Sequence, residues 1–105
     1  MSFGTRVQDM ELEKAFGETV RIARKAAALK QEALAELLGV QTSAVSRIER
    51  GAVSPSLRTV QRIALALDTH PSELLRQAEQ LQAFTTQQAA ARAQAAQKRT
   101  RKPPR

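Results

Sequence analysis

Between Thr42 and Arg50 the chain places short hydroxyls and guanidinium groups at helical spacing: Thr42, Ser43, Ser46, Arg47 and Arg50. In an α-helix these side chains share one side, and Val45 and Ile48 fall on the other. The polar side is built for hydrogen bonding. Arginine pairs with guanine through two parallel bonds, serine and threonine adapt to several base edges, and guanidinium groups also hold phosphates. An amphipathic helix can show such a face only because it is solvated, so the surrounding spacing has to decide what the face is for.

The segment before it supplies that spacing. Gln31 to Leu38 carries Leu34, Leu37 and Leu38 at helical intervals with Ala35 beside them. Gly39 follows, a residue suited to the left-handed turn at a helix C-terminus. A second helix restarts at Thr42. Where two such helices cross closely a small residue is required, and Ala35 meets that need. Together these features give the sequence form of a helix-turn-helix, whose second helix enters the major groove of duplex DNA.

Composition narrows the alternatives. The chain has 105 residues, enough for one small domain with extensions. It has no cysteine, so disulfides, thiolate metal sites and a cysteine nucleophile are excluded, and its one histidine, His70, cannot form a metal cluster by itself. No apolar run reaches membrane-spanning length and no secretory leader is visible, which points to the cytoplasm. Phe3, Phe16 and Phe84 are the only aromatic residues. The core must therefore be aliphatic, and stacking platforms for single strands are missing. The net charge of +7 is uneven: residues 1–80 hold 11 Lys/Arg against 10 Asp/Glu, whereas residues 81–105 hold 6 Lys/Arg and no acid. The excess is a property of the tail.

The remaining pattern is helical throughout. Residues 1–9 read as an irregular arm. A first helix is expected over about Met10 to Ala28, with Leu12, Ala15, Phe16, Thr19, Val20, Ala23 and Ala27 on one side and Ile22 and Ala26 widening it. Gly51 ends the third helix. Ser56 is the candidate N-cap of a fourth, whose stripe is Leu57, Val60, Ile63, Ala64 and Leu67. Asp68-Thr69-His70 breaks the chain, and Pro71 opens a fifth helix. Thr85-Thr86 is a candidate interruption there. Residues 87–97 have high helix propensity but no large apolar side chain, so partial helix at most is expected. Residues 98–105, KRTRKPPR, are expected to be disordered. The expected divisions are thus an arm at 1–9, a helix-turn-helix domain at 10–76, a helical extension at 77–97 and a basic tail at 98–105.

The chain resembles the Xre-like family, the helix-turn-helix type of the phage lambda and 434 repressors, over about residues 14–76. The carrying residues are Arg24, Gln31, Leu34-Ala35, Gly39-Val40, the run Val45-Ser46-Arg47-Ile48-Glu49-Arg50-Gly51 matching the signature S-x-I-E-x-G, then Pro55, Leu57, Ile63-Ala64, Ala66-Leu67 and Leu74-Leu75. The resemblance implies an all-α, five-helix, lambda repressor-like DNA-binding domain, here with an extended C-terminal helix. It implies that Gln41, Thr42, Ser43 and Arg47 approach base edges with Ser46 near them. Gln31 would clamp one phosphate, and Arg50 with backbone N–H groups around Ala52 a second. Arg24 and Glu49 would form an internal ion pair. The sequence departs from the family at two places. Ala28 stands where glycine is common, and Lys30 stands where a hydroxyl cap is common. Lys30 is an added candidate for a phosphate contact.

The expected function is that of a sequence-specific double-stranded DNA-binding regulator, a repressor acting as a homodimer on an inverted repeat. One small helix reads too few base pairs alone, and a two-fold pair about 34 Å apart doubles the readout. Leu75, Ala78, Leu81 and Phe84 are the candidate dimer contact, with Leu74 assigned to the core. The competing expectation is an antitoxin or adaptor that uses the same fold to bind a protein such as a toxin or polymerase. The basic tail is read as a nonspecific DNA arm, as a binder of RNA or another acidic partner, or as a solubilising segment. No catalytic set, cofactor loop or metal cluster is apparent, so an enzyme is not expected.

Overall fold

The computed structural model describes residues 11–100, apart from the side chains of 84–90, 92 and 96–100. Within that range the chain forms five helices and no strand: α1 Leu12–Ala26, α2 Gln31–Leu38, α3 Thr42–Glu49, α4 Leu57–Ala66 and α5 Pro71–Thr100. The expected arm at 1–9 and residues 101–105 of the tail lie outside the described residues. No described helix is long and apolar enough to cross a membrane.

Local chemistry sets most boundaries. Gly39 closes α2 at φ 71 and Gly51 follows α3 at φ 73, both in the left-handed region. Ser56 caps α4, its Oγ accepting the Thr59 amide at 3.1 Å. The α1–α2 junction has no glycine, and Ala28 itself takes φ 60. The Ala28 and Leu29 amides then donate to Lys25 O and Arg24 O, which satisfies carbonyls at the end of α1. Lys30 occupies the N-cap position of α2 with no side-chain cap, as its amino-acid type requires.

Each helix contributes to one core, aliphatic except for Phe16: Ala15, Phe16 and Val20 from α1, Leu34, Ala35 and Leu38 from α2, Val45 and Ile48 from α3, Val60, Ile63 and Ala64 from α4, Leu74 and Ala78 from α5. Several stripe residues fall outside it. Ile22 is 53% exposed and Ala26 is also exposed, so the buried face of α1 is narrower than expected. Leu37 is exposed because Leu34, Ala35 and Leu38 already define the inward face of this short helix, and residue 37 lies roughly 100° from its centre. Leu57 sits in the first turn of α4, beyond the edge of the core, and is 83% exposed.

Helix α1 packs on α3 and α5, α2 packs on α3 and α4, and α4 packs on α5. Leu75 shares a groove with Leu12 and Phe16, and Leu81 shares one with Thr19 and Ile22. Hence α5 runs parallel to α1 and continues past its end. It does so without a break at Thr85-Thr86 and reaches Thr100, so residues 87–97 are fully helical and 98–100 belong to the helix rather than to a disordered tail. Alanine, glutamine and arginine favour helix strongly enough to offset two threonines, which cost only a few tenths of a kcal/mol each, roughly. Ala78, expected at a dimer contact, is 0% exposed. It is spent in the core of its own chain and cannot touch a partner. The side chain of Phe84 lies outside the described residues.

Candidate nucleic-acid interface

The turn between α2 and α3 is held from both sides. The Gly39 amide donates to Glu36 O and the Val40 amide to Ala35 O, at 3.1 and 3.0 Å. From α4, Arg62 Nη2 donates to Leu38 O at 2.5 Å, placing a cation on the carbonyl end of α2. Sequence spacing does not reveal this contact, because 24 residues separate the partners. Ala35 is 2% exposed, consistent with a close crossing of α2 and α3.

Helix α3 is anchored by Val45 and Ile48, at 1% and 8% exposure. Its other side faces outward. Gln41, Ser43, Arg47 and Arg50 are exposed, and Thr42 and Ser46 are half-buried. Gln41 holds the N-cap position without using its side chain as a cap. The expected base-reading residues are therefore brought to one surface, beginning at the N-terminus of α3.

Beneath that surface, Glu49 is fixed by two other helices. Arg24 Nε donates to Oε2 at 2.6 Å and Arg24 Nη2 to Oε1 at 3.1 Å, a bidentate pair. Gln31 Nε2 donates to Oε1 at 2.9 Å. Arg24 Nη1 also donates to Leu29 O at 2.7 Å, which ties in the α1–α2 junction. Hydrogen bonding to the Glu49 carboxylate raises the Arg24 pKa, opposed by burial. No buried side-chain nitrogen or oxygen lacks a partner among the described residues. This cluster ties α1 and α2 to the last turn of α3.

Two glycines let the parts approach. A Cβ on Gly17 would lie 2.2 Å from Ile48 O and 2.7 Å from Glu49 O, so α1 rests directly on the last turn of α3. A Cβ on Gly51 would lie 2.7 Å from Lys14 Cα. Gly17 carried no signal in the sequence beyond being a glycine inside a helical pattern, which helices tolerate at some cost.

The expected phosphate contacts are placed differently from one another. Lys30 is exposed at the start of α2. Gln31, half-buried, spends one amide N–H on Glu49 and keeps a second. Arg50 lies back along α3, with Nε donating to Ser46 O and Ser46 Oγ, each at 3.3 Å. The backbone contact expected around Ala52 is not offered by the nearest amides. Gly51 N–H donates to Ile48 O and Ala52 N–H to Arg47 O, because both close the C-terminus of α3.

The sequence matches a family model described as helix-turn-helix, HTH_3, over residues 20–74. The chain belongs to the HTH_3 helix-turn-helix family. This is the Xre or lambda repressor type, a family of DNA-binding transcription regulators. Among solved structures, the chain is 43% identical to the restriction-modification controller protein C.AhdI from Aeromonas hydrophila, with a TM-score of 0.57 over 58% of this chain and 92% of that one. It is 32% identical to the P22 c2 repressor in complex with a synthetic operator, with a TM-score of 0.56 over 59% of this chain and 94% of that one. The clp gene regulator ClgR from Corynebacterium glutamicum aligns over 84% of this chain and 90% of its own, at 26% identity and a TM-score of 0.74. No curated protein sequence gives a significant match.

Proposed function

We propose that this HTH_3 protein is a sequence-specific regulator of transcription, a repressor that binds double-stranded DNA as a homodimer on an inverted repeat in the cytoplasm. One observation carries the reading: α3 turns Gln41, Ser43 and Arg47 outward over an underside buried through Val45 and Ile48. A helix so anchored can enter the major groove without disturbing the core. The P22 c2 repressor, which aligns over the same fold, was crystallised in complex with a synthetic operator. A polar reading face also gives a toxin or adaptor partner little apolar surface to bury, which favours DNA over the protein-interaction reading.

With Ala78 withdrawn from the dimer contact, the surface that best supports self-association is a largely apolar groove of about 270 Å³ formed by Leu12, Phe16, Pro55, Leu57, Val60 and Leu75, with Glu13 and Ser54 also in its lining. It retains Leu75 from the expected set and adds Leu57. Leu81, six residues further along α5, is partly buried against the core. Selection of bound sites from a random DNA pool tests the proposal as a whole. Two inverted half-sites, with centres about 34 Å apart or a multiple of that, are the expected result. A pool that enriches no sequence rejects it.

A further inference from the structure

Alongside α3 lies a polar groove that borders the expected phosphate contact at Arg50 and adds side chains of α1 that no expected contact uses. It has a volume of about 610 Å³ and is lined by Lys14, Glu18 and Arg21 of α1 and by Glu49, Arg50 and Ala52 at the end of α3. Lys14 and Arg21 flank Gly17, three residues before it and four after, so they rise on either side of the point where α1 rests on α3. They are two turns apart, about 10 Å along the axis, which corresponds to roughly three base pairs of rise along one DNA strand.

The charges in the groove do not cancel. Both Glu49 oxygens are taken from within, by Arg24 and Gln31. Glu18 accepts one bond from Arg21 Nη1 at 3.0 Å. Arg50 commits only its Nε to Ser46. Lys14 is exposed and has no acidic partner among the described residues. The groove therefore presents three cations, one carboxylate shared with Arg21, and a second carboxylate already neutralised. It opens beside the C-terminal end of α3, next to Arg50, which the family resemblance places at a DNA phosphate.

We propose that this groove binds the phosphodiester backbone of DNA, with Lys14 and Arg21 of α1 extending the phosphate contacts beyond Arg50. The inference rests on the reading of α3 as the DNA-entering helix. Arg21 and Lys14 supply charge, not base recognition, so they act equally on every sequence. Glu18 weakens the site by holding Arg21.

The experiment compares the full chain with Lys14→Ala, Arg21→Ala, the double variant and Glu18→Gln on the selected operator and on an unrelated duplex, across a salt series. Each alanine variant is expected to weaken binding to both duplexes by a similar factor and to flatten the plot of log affinity against log salt by about 0.9 for each phosphate no longer neutralised. Glu18→Gln is expected to tighten binding and steepen that slope, an outcome that loss of folding cannot produce. Lys14→Arg is expected to keep the parent slope. If the parent selects an operator but the double variant keeps its affinity and slope, the groove is overturned and the reading of α3 stands. If the parent selects no operator, both fall together.

Discussion

Glu49 receives three hydrogen bonds from two other helices, two from Arg24 and one from Gln31. A buried carboxylate with its oxygens so occupied acts as a brace, and removing one member leaves the others unequal. Glu49→Ala strands the Arg24 guanidinium, which is 7% exposed, and should destabilise the domain by about 3–5 kcal/mol in urea unfolding. Gln31→Ala leaves the charge pair intact, so its stability cost should stay near about 1 kcal/mol. Its larger effect should be a loss of DNA affinity that is the same for all sequences. Equal stability losses from both variants would refute this division of roles. On the proposed reading surface, Arg47 is exposed and lies on the outward side of α3. Arg47→Ala should therefore cost about 1–3 kcal/mol of operator binding and relax specificity at one base position, with the melting temperature unchanged. A variant that selects the parent's operator unaltered would assign base reading elsewhere. The Arg24–Glu49 pair was legible because the family resemblance names both positions. The Gln31 bond to Glu49 was not, since a side chain reaching outward to a phosphate and one reaching inward to a carboxylate have the same sequence spacing.

Helix ends were the best-read features at the next scale. Gly39 and Ser56 announce a left-handed turn and an N-cap through properties of one residue, and both occur as expected. Exposure of Leu37 and Leu57 was harder to read, because a helical stripe gives direction but not where the neighbouring helices stop. Gly17 and Arg62 act across contacts distant in sequence, so periodicity carries no trace of their partners. The course of α5 depends on a balance of weak propensities over many residues, and the threonine pair suggested an end that the helix does not take. The α1–α2 junction gives a sharper test. Ala28 sits at φ 60, where an alanine side chain costs about 1–2 kcal/mol relative to ordinary backbone. Ala28→Gly removes that strain but adds freedom to the unfolded chain worth about 0.4–1 kcal/mol. The strain term is the larger, so the variant should be more stable by several tenths to about 1 kcal/mol in thermal unfolding. A lower melting temperature would show that the turn tolerates alanine without strain.

For the molecule as a whole, the decisive question is which apolar surface would be covered in the proposed homodimer. The stripe Leu74, Leu75, Ala78, Leu81 on α5 looked continuous in the sequence, yet its members divide. Leu74 and Ala78 are 1% and 0% exposed within one chain, while Leu75 remains half-buried. Where its first turns pack against α1, α5 spends the middle of its stripe internally and leaves only the flank for a partner. Leu75 on that flank meets Leu57 and Leu12, from three helices that come together at one end of the domain. Leu57 is 83% exposed, so Leu57→Asp should leave the fold intact, with unchanged circular dichroism. Placed in a dimer contact, the buried charge should hold the protein as a monomer in sedimentation at concentrations where the parent pairs. The monomer should still recognise a half-site, because α3 is untouched. Its affinity for the full inverted repeat should fall roughly 100-fold, since the two readouts are no longer joined. A Leu57→Asp protein that remains dimeric would move the interface off this end of the domain, leaving the surface around Leu81, where α5 lies beside Thr19 and Ile22 of α1, as the one to test next.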